Sequence, residues 1–300
     1  MTNTTHNLFQ GIIVPLVTPL TRTSAQDFPH LHGLIDHVIA GHVHGIFILG
    51  TTGESSGFDV SVRRQIIEET CYYAAGKTKL HIGIMHTRLS DAITLAKIAA
   101  DNGADSIVLA EPYLPITQDA VWEYTHAFAA QCPLPVCLYT RPNQEIVFEI
   151  ETLKKLLPLQ KIEAIKDSSG NKDYFNQLLQ LKNIRPDFSV LMGREELLAE
   201  AVGINADGGV TGGANLFPRL YVDLFNAAVR NDTDEISRLQ KIVEAVVENV
   251  YCPDYLPGLK YALSCRNLCN EFLADPLRFT QPQQKKRIED FLMTFDKNYL

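Results

Sequence analysis

Eight short apolar runs, each followed by a longer stretch of helix-forming residues, recur through the first three-quarters of the chain. They are IIVPLV (12–17), GIFIL (45–49), LHIGI (80–84), DSIVL (105–109), PVCLY (135–139), KIEAI (161–165), FSVLM (188–192) and ADGGV (206–210). Runs of this length, bounded by glycine or proline, read as buried strands, and their alternation with helices demands parallel pairing. Eight is also the number of parallel strands that closes a small barrel filled by its own side chains. The predicted fold is therefore α/β, a (β/α)8 TIM barrel with a C-terminal helical extension.

Local signals agree with that division. AGHVHGIFILG, DNGADSIVLA and GINADGGVTG each set glycine or asparagine just before a strand, as helix ends do. In the second helix, Asp59 is the predicted N-cap, and Val62, Ile66, Ile67, Thr70, Cys71 and Ala74 share one face. After Asn231 the strands stop, and helices are predicted over about 232–250, 255–268 and 282–296, punctuated by Pro253, Pro257, Pro276 and Pro282. The expected organisation is a barrel over 1–231 with a helical region, 232–300, packed on it.

Composition narrows the function classes. No apolar run nears the ~18 residues of a membrane span, and a formal charge of −8 repels a phosphate backbone, so neither membrane nor nucleic acid is an expected partner. MTNTTHNLFQ lacks the basic start and apolar stretch of a secretory signal, which predicts a cytoplasmic location. Cys71, Cys132, Cys137, Cys252, Cys265 and Cys269 show no CxxC spacing and read as buried reduced thiols. His42 and His44 precede strand two and His81 begins strand three, away from the reactive end. Only His86, just past strand three, is placed to touch a substrate, so no metal and no cofactor is expected.

In a barrel of this kind the reactive groups stand at the C-terminal strand ends. Those ends carry GTTGE (Gly50 to Glu54), Tyr139, Lys166, GREE (Gly193 to Glu196) and TGGAN (Thr211 to Asn215). Alternation puts Ile162, Ala164 and Lys166 on one face, and Pro135, Cys137 and Tyr139 on another that points into the mouth. A free lysine has a pKa near ~10.4, so a tiny fraction is the neutral amine that attacks carbonyls, and burial favours that form. A lysine at a strand end also has a plain use, opening the loop and reaching to water. A phenol beside a cationic imine is a natural proton shuttle, although tyrosine at a strand end is also an ordinary rim residue. GTTGE offers hydroxyls and N–H groups to a carboxylate, or a capped tight turn.

GTTGE, LYTRP, AIKDSSG, ADGGVTGGANLFP and the late LPGLKYAL, in this order over nearly the whole chain, resemble the dihydrodipicolinate synthase and N-acetylneuraminate lyase family. The resemblance implies that Lys166 forms an imine with a 2-oxo acid, that Tyr139 moves protons, and that Thr51 belongs to its relay. It implies that Thr52 and Gly53 bind the 2-oxo acid carboxylate, that Val210 contacts pyruvate through its backbone, and that the assembly is a homotetramer, a dimer of dimers. Tyr113, Ser168 and Gly193 complete the implied substrate contacts. Glu195 and Glu196 resemble the paired acids with which sialic-acid lyases accept sugar hydroxyls, though the pair also suits a helix start.

The chain departs from the family's dihydrodipicolinate-forming members at two points, and from its sialic-acid lyases at a third. Gln144 stands where they carry an arginine, Arg141 being offset by three, and Leu114 stands where they carry a second tyrosine. Gly212 falls where the sialic-acid lyases have serine. The leading expectation is an aldolase or dehydratase of a 2-oxo-3-deoxy sugar acid, with the dihydrodipicolinate synthase reaction as the alternative. A phosphate-binding barrel isomerase is disfavoured by Glu195 and Glu196 beside TGGAN, and a non-catalytic 2-oxo acid sensor keeps the same pocket.

Overall fold

The computed structural model describes residues 8–110, 117–141, 148–276, 280–295 and 299. Eight parallel strands close into one barrel in chain order: β1 (Gly11–Pro15), β2 (Gly45–Ile48), β3 (Lys79–Ile84), β4 (Ser106–Ala110), β5 (Val136–Thr140), β6 (Ile162–Asp167), β7 (Ser189–Met192) and β8 (Gly208–Val210). β1 pairs with β2 on one side and β8 on the other, which leaves no sheet edge. Between the strands run α1 (Phe28–Ala40), α2 (Val60–Ala74), α3 (Leu89–Asp101), α4 (Gln118–Gln131), α5 (Ile150–Leu156), α6 (Lys172–Gln180) and α7 (Leu198–Gly203), and α8 (Pro218–Val229) follows β8. Three C-terminal helices complete the chain: α9 (Thr233–Val246), extended by a π-helical turn at Val247–Tyr251, α10 (Tyr255–Cys265) and α11 (Pro282–Thr294).

Strand alternation divides the core in two. Outward residues such as Ile12, Ile46, Ile82, Leu109, Leu138, Ile165 and Val190 pack against the helices, while Ile13, Phe47, Val108, Cys137, Tyr139, Ala164, Leu191 and Val210 fill the barrel. β6 departs from simple alternation. Val136 pairs with Ile162 but Cys137 pairs with Ala164, so Glu163 is an extra residue in a bulge. Ile162 consequently faces the outer layer, not the interior with Ala164 as the sequence suggested. Arg185, itself buried, donates to Ile162 O at 2.6 Å and covers the carbonyl at the bulge.

Two further expectations are corrected. Val62 is only half-buried on α2, and Arg63 takes its place in the interior, donating to Phe58 O and Met85 O. Cys71, Cys132, Cys137 and Cys269 are buried as predicted, but Cys252 and Cys265 are exposed. The Asp59 cap forms as expected, accepting from Val62 N at 2.9 Å. Among the described residues no helix is long and apolar enough to cross a membrane.

His81 lies inside the barrel, 1% exposed, its Nδ1 2.7 Å from Ser106 Oγ and its ring against Phe9. Burial pushes it down to about 4, below its ordinary 6.5. Because the unfolded chain then binds the extra proton more readily, stability is fully present above pH 6.5 and is lost as pH falls toward 4. Acidification from pH 7 to 4 is expected to cost about 3 kcal/mol through this one group. Urea denaturation across that range should show a correspondingly flatter profile for His81→Asn, whose amide can still bond Ser106 but does not titrate.

Candidate active site

The strand register places the reactive residues together. Tyr139 pairs directly with Lys166 across β5 and β6, and both point into the C-terminal mouth of the barrel. The Lys166 side chain is 6% exposed, and its Nζ lies 4.1 Å from the centre of the Tyr139 ring and 5.4 Å from that of Phe47. Thr51 Oγ1 lies 3.3 Å from Tyr139 Oη. Lys166, Tyr139, Thr51 and Thr52 line one cavity of about 340 Å³, whose wall also includes Ser168, Gly193, Glu195, Glu196 and Val210. That brings together nearly all the residues singled out in the sequence. Gly53 sits just behind, buried, its carbonyl accepting from Thr18 Oγ1 at 2.7 Å. Tyr113, Leu114 and Gln144 lie outside the described residues. His86 is not in the cavity wall, and its Nδ1 accepts from Arg88 N.

Close packing dictates several residue types here. Gly193 N donates to Asp167 O at 2.7 Å, and a Cβ on Gly193 would stand 1.9 Å from Ser168 Oγ and 3.0 Å from Lys166 Cε. Glycine at this point leaves room for the lysine stem to rise into the mouth. A Cβ on Gly212 would meet Tyr255 Oη at 2.0 Å, and one on Gly213 would meet Tyr221 Oη at 2.0 Å. The space of a side chain at 212 is thus filled by a phenol from α10.

Glu195 lines the cavity and is bonded largely to the protein. Its carboxylate is buried, and Oε1 accepts from Tyr221 Oη at 2.6 Å and Tyr251 Oη at 2.7 Å, while Oε2 accepts from Gly213 N at 2.9 Å. A carboxylate has about four acceptor sites, so most of its capacity is spent on the protein. Burial raises its pKa, against the opposing pull of those donors. Glu196 is more open and pairs with Arg194, Nη2 to Oε1 at 2.7 Å, beside the cavity.

Arg194 and Gly212 also line the cavity, as do Pro15, Val247, Tyr251 and Tyr255, which were not singled out. Tyr251 and Tyr255 come from the C-terminal helices, which the sequence reading treated as packing. The available signal was two tyrosines four residues apart flanking Pro253, a helix break that turns side chains inward. Among the described residues no group of three or more His, Cys, Asp or Glu side chains is placed to hold a metal.

The chain belongs to the dihydrodipicolinate synthetase family, whose model matches residues 8–294. It is an enzyme of the class I aldolase type, a Schiff-base-forming lyase. It is similar to the 4-hydroxy-tetrahydrodipicolinate synthase of Psychrobacter arcticus, 28% identical over 95% of this chain and 94% of that protein. It is similar to that of Cereibacter sphaeroides, 30% identical over 94% and 97%. The solved dihydrodipicolinate synthase of Bacteroides thetaiotaomicron superimposes with a TM-score of 0.91 at 38% identity, covering 95% of this chain and 98% of that one.

Because the Glu195 pKa is raised in the folded state, its contribution to stability is greatest at low pH and is lost as pH rises through the folded value. Glu195→Gln, which keeps the shape without the charge, should therefore compare more favourably with the wild type at pH 7 than at pH 4 in paired denaturation curves. A difference between the two proteins that does not move with pH contradicts the burial argument.

Proposed function

We propose that the protein is a pyruvate-handling lyase in which Lys166 forms the imine, acting as an aldolase or dehydratase on a 2-oxo-3-deoxy sugar acid. The observation that carries the reading is the enclosure of the Lys166 amine against the Tyr139 ring, in one cavity with Thr51 and Thr52. Only a neutral amine adds to a ketone. The amine lone pair adds to C2 of the 2-oxo acid. One amine proton and one from the Tyr139 hydroxyl turn the ketone oxygen into water, whose departure leaves an iminium. The Tyr139 phenolate then takes the proton of the C4 hydroxyl as the C3–C4 electron pair moves into the iminium, releasing an aldehyde and leaving an enamine. Proton return to C3 and hydrolysis free pyruvate and the amine.

In this reading Thr51, 3.3 Å from Tyr139, holds the phenol's hydroxyl and passes its proton. The Thr52 hydroxyl and the Gly53 N–H receive the carboxylate, and the Val210 backbone lies along pyruvate. Ser168, Gly193 and Glu196 line the space for the rest of the substrate, with Glu195 acting through the tyrosines it holds. The mixture of Arg194, Glu196 and Tyr251 in the wall suits a tail bearing several hydroxyls, which need donors and acceptors alike. A second reading, synthesis of 4-hydroxy-tetrahydrodipicolinate, is favoured by the names of the relatives just described. The assembly in this proposal is a homotetramer, to be read by sedimentation.

Borohydride reduction in the presence of pyruvate is expected to leave a stable adduct on Lys166 in peptide mass mapping, and Lys166→Ala to leave none. Absence of an adduct, or its appearance on another lysine, would rule out the mechanism. Cleavage or dehydration of 2-oxo-3-deoxy sugar acids should exceed synthesis of 4-hydroxy-tetrahydrodipicolinate. The opposite ranking supports the second reading.

A further inference from the structure

The turn that carries Thr51, Thr52 and Gly53 is bracketed by two non-glycine residues in left-handed backbone conformation, Leu49 and Glu54, each at φ 56°. A bulky residue rarely adopts that conformation, and it persists only where its surroundings hold it. Much of what holds this turn comes from α10 and the segment after it. The Glu54 carboxylate, 1% exposed, accepts from Lys260 Nζ at 2.5 Å and from Ala274 N at 2.6 Å. Lys260, fully buried, also donates to Phe272 O at 2.5 Å. Five residues earlier on the same helix, Tyr255 Oη lies 3.0 Å from Thr52 Oγ1.

We propose that α10 is a positioning element for the carboxylate-binding turn, with Tyr255 orienting the Thr52 hydroxyl and Lys260 fixing the backbone at Glu54. This rests on the reading above in which Thr52 and Gly53 receive the 2-oxo acid carboxylate. A hydroxyl beside a phenol has two choices, donating to it or accepting from it. Burial holds the Tyr255 phenol protonated, with its pKa raised, so it can serve as the donor. With Tyr255 donating to Thr52 Oγ1, the Thr52 proton is left to point at the carboxylate. Loss of the phenol oxygen frees the hydroxyl to rotate, and binding must then order it anew.

The Lys260–Glu54 pair fits the same role. A fully buried ion pair adds little net stability, since desolvation offsets the attraction, but its geometry is closely defined. Here that geometry fixes the left-handed residue directly after Gly53. Neither Tyr255 nor Lys260 reaches the reacting carbon in this account; both act through the turn.

The test compares borohydride trapping of pyruvate with trapping of acetone, which forms the same imine but has no carboxylate. Tyr255→Phe is expected to raise the pyruvate concentration giving half-maximal adduct about five- to tenfold, leave the maximal trapping rate near the wild-type value, and trap acetone as the wild type does. The double variant Lys260→Met with Glu54→Gln, whose amide oxygen can still accept from Ala274 N, should fold and show the same selective loss for pyruvate. Unchanged half-saturation in Tyr255→Phe overturns the proposal, as does an equal loss with both ketones, which marks a general disturbance of the site. A double variant that fails to fold overturns the part assigned to Lys260, since the pair is then structural. If the wild type itself traps no pyruvate, the imine reading fails instead, a result distinct from all of these.

Discussion

Closure of the sheet is the constraint from which the rest follows. With β1 bonded to both β2 and β8, every strand must turn one face to a common interior and one to the helices. Parallel order then sends all eight C-terminal ends to the same mouth. Tyr139 and Lys166, partners in the β5–β6 register, become neighbours by that geometry alone. The turn after β2 brings Thr51 to the same phenol from across the barrel. Residues distant in sequence form one site because barrel closure leaves their side chains the same space.

The two ends of the barrel interior differ in how they treat polar groups. Toward the N-terminal end the filling is apolar, and His81 is held there uncharged by burial. At the mouth, several buried polar side chains are fully engaged with protein partners. Glu195 is held by Tyr221, Tyr251 and Gly213, Glu54 by Lys260 and Ala274, and Asn215 bonds Pro15 O, Gly212 O and Val17 N. Groups left unpaired at such depth would be costly, whereas satisfied networks define a rigid surround. The C-terminal helices supply much of that surround, since Tyr251, Tyr255 and Lys260 all lie beyond β8.

Strand positions were legible because each run is short, apolar and punctuated, and all eight observed strands fall on or within two residues of the runs read from the sequence. Lys166 and Tyr139 were legible for the same reason, as polar ends of apolar strands. Simple alternation back from Lys166 nevertheless extends only as far as Ala164, because the bulge at Glu163 turns Ile162 outward and leaves no mark in the apolar pattern. The protein partners of Glu195 were not legible, since an acid beside a site looks the same whether its lone pairs face substrate or protein. The tyrosines that occupy it, Tyr221 and Tyr251, are 26 and 56 residues away in sequence, and only the packing of α8 and α9 brings them there. Gly212 was read as a missing serine, yet the structure shows its space taken by Tyr255.

In the proposed function the Lys166 nitrogen condenses with a ketone whose carboxylate lies against Thr52 and Gly53. A crystal soaked with pyruvate and solved at high resolution tests it most directly. The expected result is continuous density from Lys166 Nζ to C2 of the ligand, with the carboxylate within hydrogen-bond distance of the Thr52 hydroxyl and the Gly53 N–H. Pyruvate bound with no bond to the nitrogen, or with its carboxylate turned toward Arg194 and away from that turn, would contradict it.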